Sequence, residues 1–284
     1  MMLIAIGSLK NAPGVTTWSL ALAARWPHPM RSVLVECDPS GGSIAARFRL
    51  AQTPGLASLT AATRRDGHPH LLWSHVQQLP NGLPVVCAPE GAQFTHAALA
   101  ALLASHPTSA LRAAALPNTA VIADCGRLTP DSPAMAIARE ADHVLLLTRP
   151  RADDLGQLAA ALTMVDLWSL RPRLLLAGAG HSPTEITHEL GIPVAGSVPH
   201  DPAGARALAG YADPHQGSRR SPHRSRIGRA ALTVANVLLT PPADRPRTQP
   251  TPVERRVSPT DLPGLAPLIS PATTNPTPGN GQEL

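Results

Sequence analysis

Lys10 is the only lysine among the 24 basic residues of this chain, and it opens a turn-forming segment. That segment reads Lys10-Asn11-Ala12-Pro13-Gly14. It follows the apolar run at residues 3–6 and precedes a helical pattern at residues 16–25. A strand, a Gly/Pro/Asn loop and a helix in this order are typical of a phosphate-binding loop, in which backbone N–H groups face an anion. Because a compact ammonium is not interchangeable with a guanidinium in a tight site, the pattern predicts that Lys10 binds a phosphate; the alternative is an exposed loop lysine.

After the loop, one side chain provides a hydroxyl that fits this chemistry, and another side chain does not fit it. A standard phosphate-binding loop reads G-x-x-x-x-G-K-[ST], where the lysine reaches the phosphates and the hydroxyl binds Mg²⁺. Gly14 and Thr16 match, but Val15 stands where the lysine is expected. A valine cannot donate to a phosphate oxygen, and the lost charge-assisted hydrogen bond is worth about 1.5–3 kcal/mol. The sequence therefore predicts either weak nucleotide binding with slow hydrolysis, or a scaffold that has lost the chemistry.

Two aspartates at the ends of apolar runs are the candidate acidic groups. Asp38 precedes Pro39-Ser40-Gly41, a sequence that would also suit a plain turn. Asp124 ends the apolar run at residues 119–123, where an unpaired carboxylate would be costly to bury, which favours a metal-binding or hydrogen-bonded role. Ligands of parallel sheets bind beyond the carboxyl ends of the strands. We therefore expect Lys10, Asp38 and Asp124 just past strand ends, on one rim.

Predicted strands and helices alternate along the chain, and these elements must position the candidate residues. Continuous apolar runs predict strands buried on both faces at residues 83–87, 120–123, 144–147 and 174–177. Ala-rich patterns predict helices at residues 16–25, 95–104, 153–168, 183–190 and 227–239. This rhythm predicts an α/β domain with a mainly parallel twisted sheet flanked by helices.

Five segments in this order resemble the MinD/ParA family of P-loop ATPases. The family's variant loop reads K-G-G-x-G-K-[ST]-[ST]; this chain matches it at Lys10, Gly14, Thr16 and Thr17 and departs from it at Asn11, Ala12 and Val15. The other four segments resemble the switch segment that begins at Asp38, the Walker B strand that ends at Asp124, the strand that leads into Thr148-Arg149-Pro150, and the late strand that ends in Pro199-His200-Asp201. The order also resembles the pilus- and secretion-associated localisation ATPases of that family.

The resemblance implies a three-layer P-loop domain that binds ATP and Mg²⁺ in a homodimer and recruits a partner protein that the sequence does not identify. It implies catalytic roles for Lys10 and Asp38, with Lys10 reaching across the dimer. It implies metal ligation by Thr16, Asp38 and Asp124. The implied nucleotide-binding residues are Lys10, Asn11, Ala12, Pro13, Gly14, Val15, Thr16, Thr17, Pro199 and Asp201. The implied function is an ATP-dependent positioning, partitioning or assembly switch, with weak ATPase activity at most.

Composition divides the chain into a predicted domain and a predicted tail. Residues 1–240 suit one α/β domain, whereas residues 241–284 are rich in Pro and Thr and are predicted to be a disordered tail. Residues 213–229 are predicted to be a flexible, Arg-rich segment within the domain. Its basic run would suit contact with DNA phosphates or an anionic membrane and consists of Arg219, Arg220, Arg224, Arg226 and Arg229. The alternative for that run is a solvated loop.

The remaining features exclude several classes of protein. Three cysteines, an odd number near strand ends, favour a reducing compartment without disulfides. Neither a signal peptide nor a run of roughly 20 apolar residues is present, so we expect a cytoplasmic protein without a membrane-spanning segment. The nearest histidine cluster, His68, His70 and His75, lacks zinc-ligand spacing and is predicted to be a loop.

Overall fold

The computed structural model describes residues 2–10, 14–65, 70–104, 110–113, 117–164, 172–211 and 224–240. All of these residues belong to one unit, Met1–Ala243. The predicted tail, the loop residues Asn11, Ala12 and Pro13, and most of the Arg-rich segment lie outside the described residues.

The elements follow one another in the alternating order that the sequence predicts. The strands are β1 (Met2–Ser8), β2 (Arg31–Glu36), β3 (Gln77–Gln78), β4 (Pro84–Val86), β5 (Thr119–Arg127), β6 (His143–Thr148), β7 (Arg173–Ala177) and β8 (Val194–Val198). The helices are α1 (Val15–Ala24), α2 (Ile44–Phe48), α3 (Leu56–Thr63), α4 (Ala92–Ala104), α5 (Ala110–Ala113), α6 (Pro133–Glu140), α7 (Ala152–Met164), α8 (Pro183–Leu190), α9 (Pro202–Leu208) and α10 (Arg226–Leu239), with a 3₁₀ turn at Leu71–His75.

These strands form one eight-stranded sheet in the order β3-β4-β2-β5-β1-β6-β7-β8. Every neighbouring pair is parallel except β3 and β4, so the prediction of a mainly parallel α/β sheet is confirmed. The register sets the carboxyl ends of the central strands level with one another. Asp124 of β5 lies opposite Ile6 of β1 on one side and opposite Glu36 of β2 on the other.

Helices cover both faces of the sheet because its strand residues are apolar on both sides. Ile4 and Ile6 point into a core shared with α1, α2, α9 and α10, which we call the α1 layer. Leu3 and Ala5, their neighbours in the strand, point into a core shared with α3, α4, α6, α7 and α8, which we call the α4 layer. Alternation along a strand sends successive side chains to opposite faces, so two cores follow from continuous apolar runs.

Most predicted elements are confirmed, and the differences have local causes. The helix predicted at residues 183–190 has those bounds, and α10 begins one residue earlier than predicted, at Arg226, because Ser225 accepts a hydrogen bond from the Gly228 N–H and caps it. Arg226 and Arg229 therefore lie in a helix and not in the flexible segment predicted at residues 213–229. The short helices α2, α3, α6 and α9 were not predicted. The signal for α6 is present, since Ser132 caps it and Pro133 is its first residue.

The position of Asp124 corrects one prediction. It does not lie past the end of its strand but inside β5, which continues to Arg127. The strand is prolonged because the Leu128 N–H donates to the Ser8 carbonyl of β1. Asp124 is nevertheless level with Glu36, the last residue of β2, so it stays at the carboxyl edge.

Because the sheet is buried on both faces, the free energy of unfolding should depend strongly on residues of the central strands. Ile122 of β5 is 0% exposed, whereas Val237 of α10 is 40% exposed. We expect Ile122→Ala to lower the free energy of unfolding by about 2–5 kcal/mol, because it leaves a cavity between sheet and helices. The matched control, Val237→Ala, should change it by only about 0.5 kcal/mol. Urea unfolding followed by circular dichroism measures both, and equal losses would contradict the layered core.

Candidate functional site

Lys10 lies two residues after the end of β1, and its side chain faces α7. Its ammonium nitrogen lies 3.7 Å from an Oδ atom of Asp154, whose side chain is 9% exposed, while 29% of the Lys10 side chain is exposed. The Ser8 hydroxyl fixes the backbone on this side, since it donates to the Lys10 carbonyl at 2.5 Å and accepts from the Lys10 N–H at 3.3 Å. The sequence analysis missed Asp154. Its only signal was the acidic pair Asp153-Asp154 in the first turn of a helix, where acids favour the helix dipole.

Val15 is a core residue as well as the first residue of α1. Its side chain is 2% exposed and belongs to the core of the α1 layer, together with Trp18 of the same turn. Gly14, the residue before the helix, has φ of 84°, a left-handed conformation that suits glycine. At the position where a standard loop has its lysine, this chain therefore uses the side chain for packing.

Thr16 brings a hydroxyl to the first turn of α1. Thr16 is half-buried, and its hydroxyl is close enough to the Asp124 carboxyl group on β5 to lower the pKa of that acid. Thr17 beside it is also half-buried. The start of the helix that follows the loop is therefore near the strand predicted to carry the metal-binding acid.

Asp124 is a fully buried acid with an unsatisfied oxygen. One carboxyl oxygen accepts from the Gly126 N–H at 3.3 Å, while Oδ2 has no hydrogen-bond partner among the described residues. Burial raises the pKa of Asp124 to about 7; the Thr16 hydroxyl acts to lower it, and the nearby charges of Glu36 and Asp38 raise it further. A buried carboxyl oxygen without a partner is costly unless something binds it.

Asp38 lies in the turn after β2 and leans against β5. A Cβ atom at Gly126 would overlap the Asp38 carboxyl group, so only glycine allows Asp38 to approach so closely to the strand of Asp124. The Asp38 carboxylate also accepts from the Ser40 N–H at 2.9 Å, as in an ordinary Asx turn. The turn role and the site role are therefore compatible in one conformation.

Glu36 is a second buried acid that the sequence analysis did not single out. It is 1% exposed and lies opposite Asp124. Burial raises the pKa of Glu36 above its usual value, although hydrogen bonds from the backbone of Ser43, Ala88 and Ile44 and from the Ser43 hydroxyl act to lower it. The sequence did contain a signal for Glu36, because an acidic residue at the end of an apolar strand is unusual.

The grouped side chains fit a magnesium–nucleotide complex better than a metal ion alone. Within the described ranges, no three His, Cys, Asp or Glu side chains form a group that could hold a metal. Mg²⁺ in nucleotide sites is bound by one or two protein oxygens together with water and phosphate. The Thr16 hydroxyl and the free Oδ2 of Asp124 are oxygen donors of that kind. The predicted residues Lys10, Thr16, Asp38 and Asp124 thus meet at one edge, whereas Asn11, Ala12 and Pro13 lie outside the described residues.

The segment after β8 has a different local arrangement. Pro199 is half-buried, and Asp201 caps α9 by accepting from the Gly204 N–H at 2.9 Å. The other Asp201 oxygen accepts from the N–H groups of Arg226 and Ile227, which tie it to the start of α10. Burial acts to raise the pKa of Asp201, but these three N–H donors hold it below its usual value. Its carboxylate already has three partners, and the nucleotide contact stays a prediction.

The three cysteines lie inside the domain. Cys37, Cys87 and Cys125 are free and buried, and burial raises the pKa of each thiol. In the part of the chain that the structure describes, no helix has the length and apolar content needed to cross a membrane.

Solved structures with this organisation include MinD and ParA proteins. The cell division ATPase MinD of Pyrococcus furiosus superimposes with a TM-score of 0.60 at 15% identity, over 83% of this chain and 97% of that chain. A ParA family ATPase from Chlorobium tepidum gives 0.59 at 15% identity, over 83% and 98%. The Pyrococcus horikoshii septum site-determining protein MinD, complexed with Mg-ADP, gives 0.59 at 13% identity, over 84% and 96%. No protein-family model and no curated protein sequence matches the chain. The chain therefore has a MinD/ParA-type P-loop fold.

The buried acid at the centre of the site predicts a pH-dependent stability. The pKa of Asp124 is about 7 in the folded protein and near 3.8 when the group is unperturbed, so between these values the folded state binds a proton that the unfolded state lacks. The contribution of Asp124 to the free energy of unfolding should therefore fall as pH rises from about 4 to about 7 and level off above that. Asp124→Asn, which cannot titrate, should show a shallower fall across this pH window in urea unfolding. Parallel curves for the two proteins would contradict the raised pKa.

Proposed function

We propose that this chain is a nucleotide-dependent positioning or partitioning protein of the MinD/ParA kind, with weak or slow ATP hydrolysis. Nucleotide binding would stabilise a homodimer that recruits a partner protein. The observation that carries the proposal is the proximity of Thr16 and Asp38 to Asp124, at the edge of the sheet where β1 leads to Lys10. Ligands of parallel sheets bind at this edge, and oxygen donors with one ammonium match the chemistry of a magnesium-bound phosphate chain.

Each residue would have a separate task in that site. Lys10 would bind phosphate oxygens, Thr16 and Asp124 would hold the metal, and Asp38 would orient the attacking water. ATP and Mg²⁺ would supply a transferable phosphoryl group and the charge that neutralises it. Asn11, Ala12 and Pro13 would form the loop around the phosphates with Gly14, Val15 and Thr17, while Pro199 and Asp201 would lie near the base.

Two features of the site support weak activity. Val15 is buried in the core and provides no positive charge. Lys10, the single ammonium, is 3.7 Å from the Asp154 carboxylate, so it must exchange this partner to reach a phosphate. Both effects reduce the binding free energy available to a nucleotide, because one cation is missing and the other is partly neutralised.

A thermal unfolding experiment tests the proposal. Mg-ATP at about 100 times its Kd should add about 2.7 kcal/mol to the free energy of unfolding if it binds only the folded state. For a domain of this size each kcal/mol raises the Tm by roughly 2–4 °C. We expect Lys10→Ala to abolish the upshift, because it removes the only ammonium of the loop.

The matched control is Arg139→Ala, which removes an exposed positive charge from α6 in the α4 layer. It should leave the upshift intact. If ATP, ADP and GTP all leave the Tm of the wild-type protein unchanged, the nucleotide switch is refuted. The alternative function, a scaffold that binds partner proteins without nucleotide, would then account for Val15.

A second candidate function, nonspecific DNA binding, is favoured by the charge of the α1 layer. None of its four helices, α1, α2, α9 and α10, contains an acidic residue. Arg226 and Arg229 are exposed in the first turn of α10, where the helix dipole disfavours cations. Asp201 attracts Arg226, but the helix dipole favours neither charge, and both exposed side chains could contact a polyanion.

Duplex DNA binding measured against salt concentration tests this candidate. Each phosphate contact contributes about 0.9 to the slope of log K against log[salt]. The double variant Arg226→Ala/Arg229→Ala should therefore reduce the slope by roughly two. Arg64→Ala/Arg65→Ala removes two exposed arginines at the end of α3, in the opposite layer, and serves as the control. Equal losses in the two double variants would contradict an interface on the α1 layer.

A further inference from the structure

We propose that Glu36 is a positioning residue that clamps both ends of the turn carrying Asp38, and that it sets the geometry of Asp38 in the proposed reaction. We call residues 37–42 the Asp38 segment. Glu36 immediately precedes this segment and Ser43 immediately follows it. The kinetic consequence rests on the proposed function, whereas the clamp itself does not.

Four hydrogen bonds converge on the Glu36 carboxylate. Oε1 accepts from the Ser43 N–H at 2.6 Å, from the Ser43 hydroxyl at 3.2 Å and from the Ile44 N–H at 3.1 Å. Oε2 accepts from the Ala88 N–H at 3.1 Å. A carboxylate that accepts several N–H donors makes stronger bonds than a neutral acceptor would, and its burial makes each bond costly to lose.

The bonds join three elements that are apart in the sequence. Ser43 and Ile44 form the start of α2, Ala88 follows β4, and Glu36 itself ends β2. The Asp38 segment is thereby closed into a short loop at its base, with the loop after β4 as a third support. The contacts to Ser43 and Ile44 would be sufficient to cap α2, so the hydrogen bond from Ala88 indicates a further role for Glu36.

The close packing of the segment agrees with a clamp. A Cβ at Gly42 would overlap the Ala88 carbonyl group and would lie 3.0 Å from Oε2 of Glu36. The Gly42 N–H donates to the Pro89 carbonyl at 2.7 Å. The end of the Asp38 segment is therefore pressed against the loop after β4, with no room for a side chain.

The clamp reaches Asp38 through the backbone of this closed loop. The Gly41 N–H donates to the Asp38 carbonyl at 3.1 Å, and the Cys37 N–H donates to the Asp124 carbonyl at 2.8 Å. Asp38 thus projects from a loop fixed on one side by β5 and on the other by Glu36. Loss of the Glu36 contacts would release one side only, so the carboxyl group of Asp38 would lose its fixed position over Gly126 while the sheet stays intact.

Amide hydrogen exchange of the free protein tests the clamp directly. Glu36→Gln keeps the side-chain size but replaces one accepting oxygen by an NH₂ group, so at least one N–H among Ser43, Ile44 and Ala88 loses its acceptor. We expect exchange at that amide to be about tenfold faster or more. The Cys37 amide, which donates to Asp124, should keep its protection. The control is Glu189→Gln, a neutralised acid on α8, which should change none of these amides.

A milder variant keeps the test decisive if Glu36→Gln does not fold. Ser43→Ala removes only the hydroxyl donor, and we expect about twofold to fivefold faster exchange at Ser43 and Ile44 from the loss of one of four bonds. Unchanged exchange at Ser43, Ile44 and Ala88 in a folded variant would overturn the clamp.

Kinetics test the consequence for Asp38. In Glu36→Gln we expect kcat for Mg-ATP hydrolysis to fall about tenfold or more while the Kd for Mg-ATP stays within about threefold, because nucleotide binding uses Lys10 and Thr16. A fall in kcat together with a comparable rise in Kd, or no change in either, would indicate a purely structural role and would overturn the positioning role. If the wild-type protein neither binds nor hydrolyses ATP, the proposed function fails, and the exchange measurement alone still decides the clamp.

Discussion

Three carboxyl groups at the carboxyl edge of β2 and β5 are the constraint on which the site depends. Glu36 and Asp124 lie opposite each other in the sheet register, and Asp38 packs over Gly126 two residues beyond Asp124. Burial raises the pKa of both Glu36 and Asp124, and the nearby charges of Glu36 and Asp38 raise the pKa of Asp124 further. Backbone N–H groups satisfy Glu36, but Oδ2 of Asp124 has no partner within the described residues. An arrangement of this kind is costly in the free protein, and the bound cation of the proposed function would relieve that cost.

Among the described residues, the positive charge of the site comes from Lys10 alone and not from the helix after the loop. The first turn of α1 packs its Val15 and Trp18 side chains into the core, so the helix that follows the loop contributes a hydroxyl, N–H groups and no side-chain cation. The ammonium comes instead from Lys10 at the end of β1, and Asp154 holds it beside α7. Acids from β2 and β5, an ammonium from β1 and a hydroxyl from α1 therefore meet at one edge, because the parallel register sets these strand ends level.

Sequence reasoning predicted the fold, and it placed most of the candidate residues near one edge of the sheet, because both depend on local patterns. Continuous apolar runs specify strands buried on two faces, and Thr16, Asp38 and Asp124 stand where such runs end or the next helix begins. The short helices α2 and α9 were missed because five to seven residues carry too little periodicity, although Asp201-Pro202 is a helix-start signal for α9. Asp154 and the Glu36 contacts were missed for another reason. Their partners, Lys10 and Ala88, are distant in the sequence, so only the folded chain brings them together.

The central claim is that nucleotide bound at this edge joins two copies of the chain. Sedimentation velocity of the purified protein at several concentrations, with and without Mg²⁺ and a non-hydrolysable ATP analogue, tests it most directly. The account predicts a monomer without nucleotide, a dimer with it, and a monomer under both conditions for Lys10→Ala. A wild-type protein whose mass is the same with and without nucleotide would contradict the account.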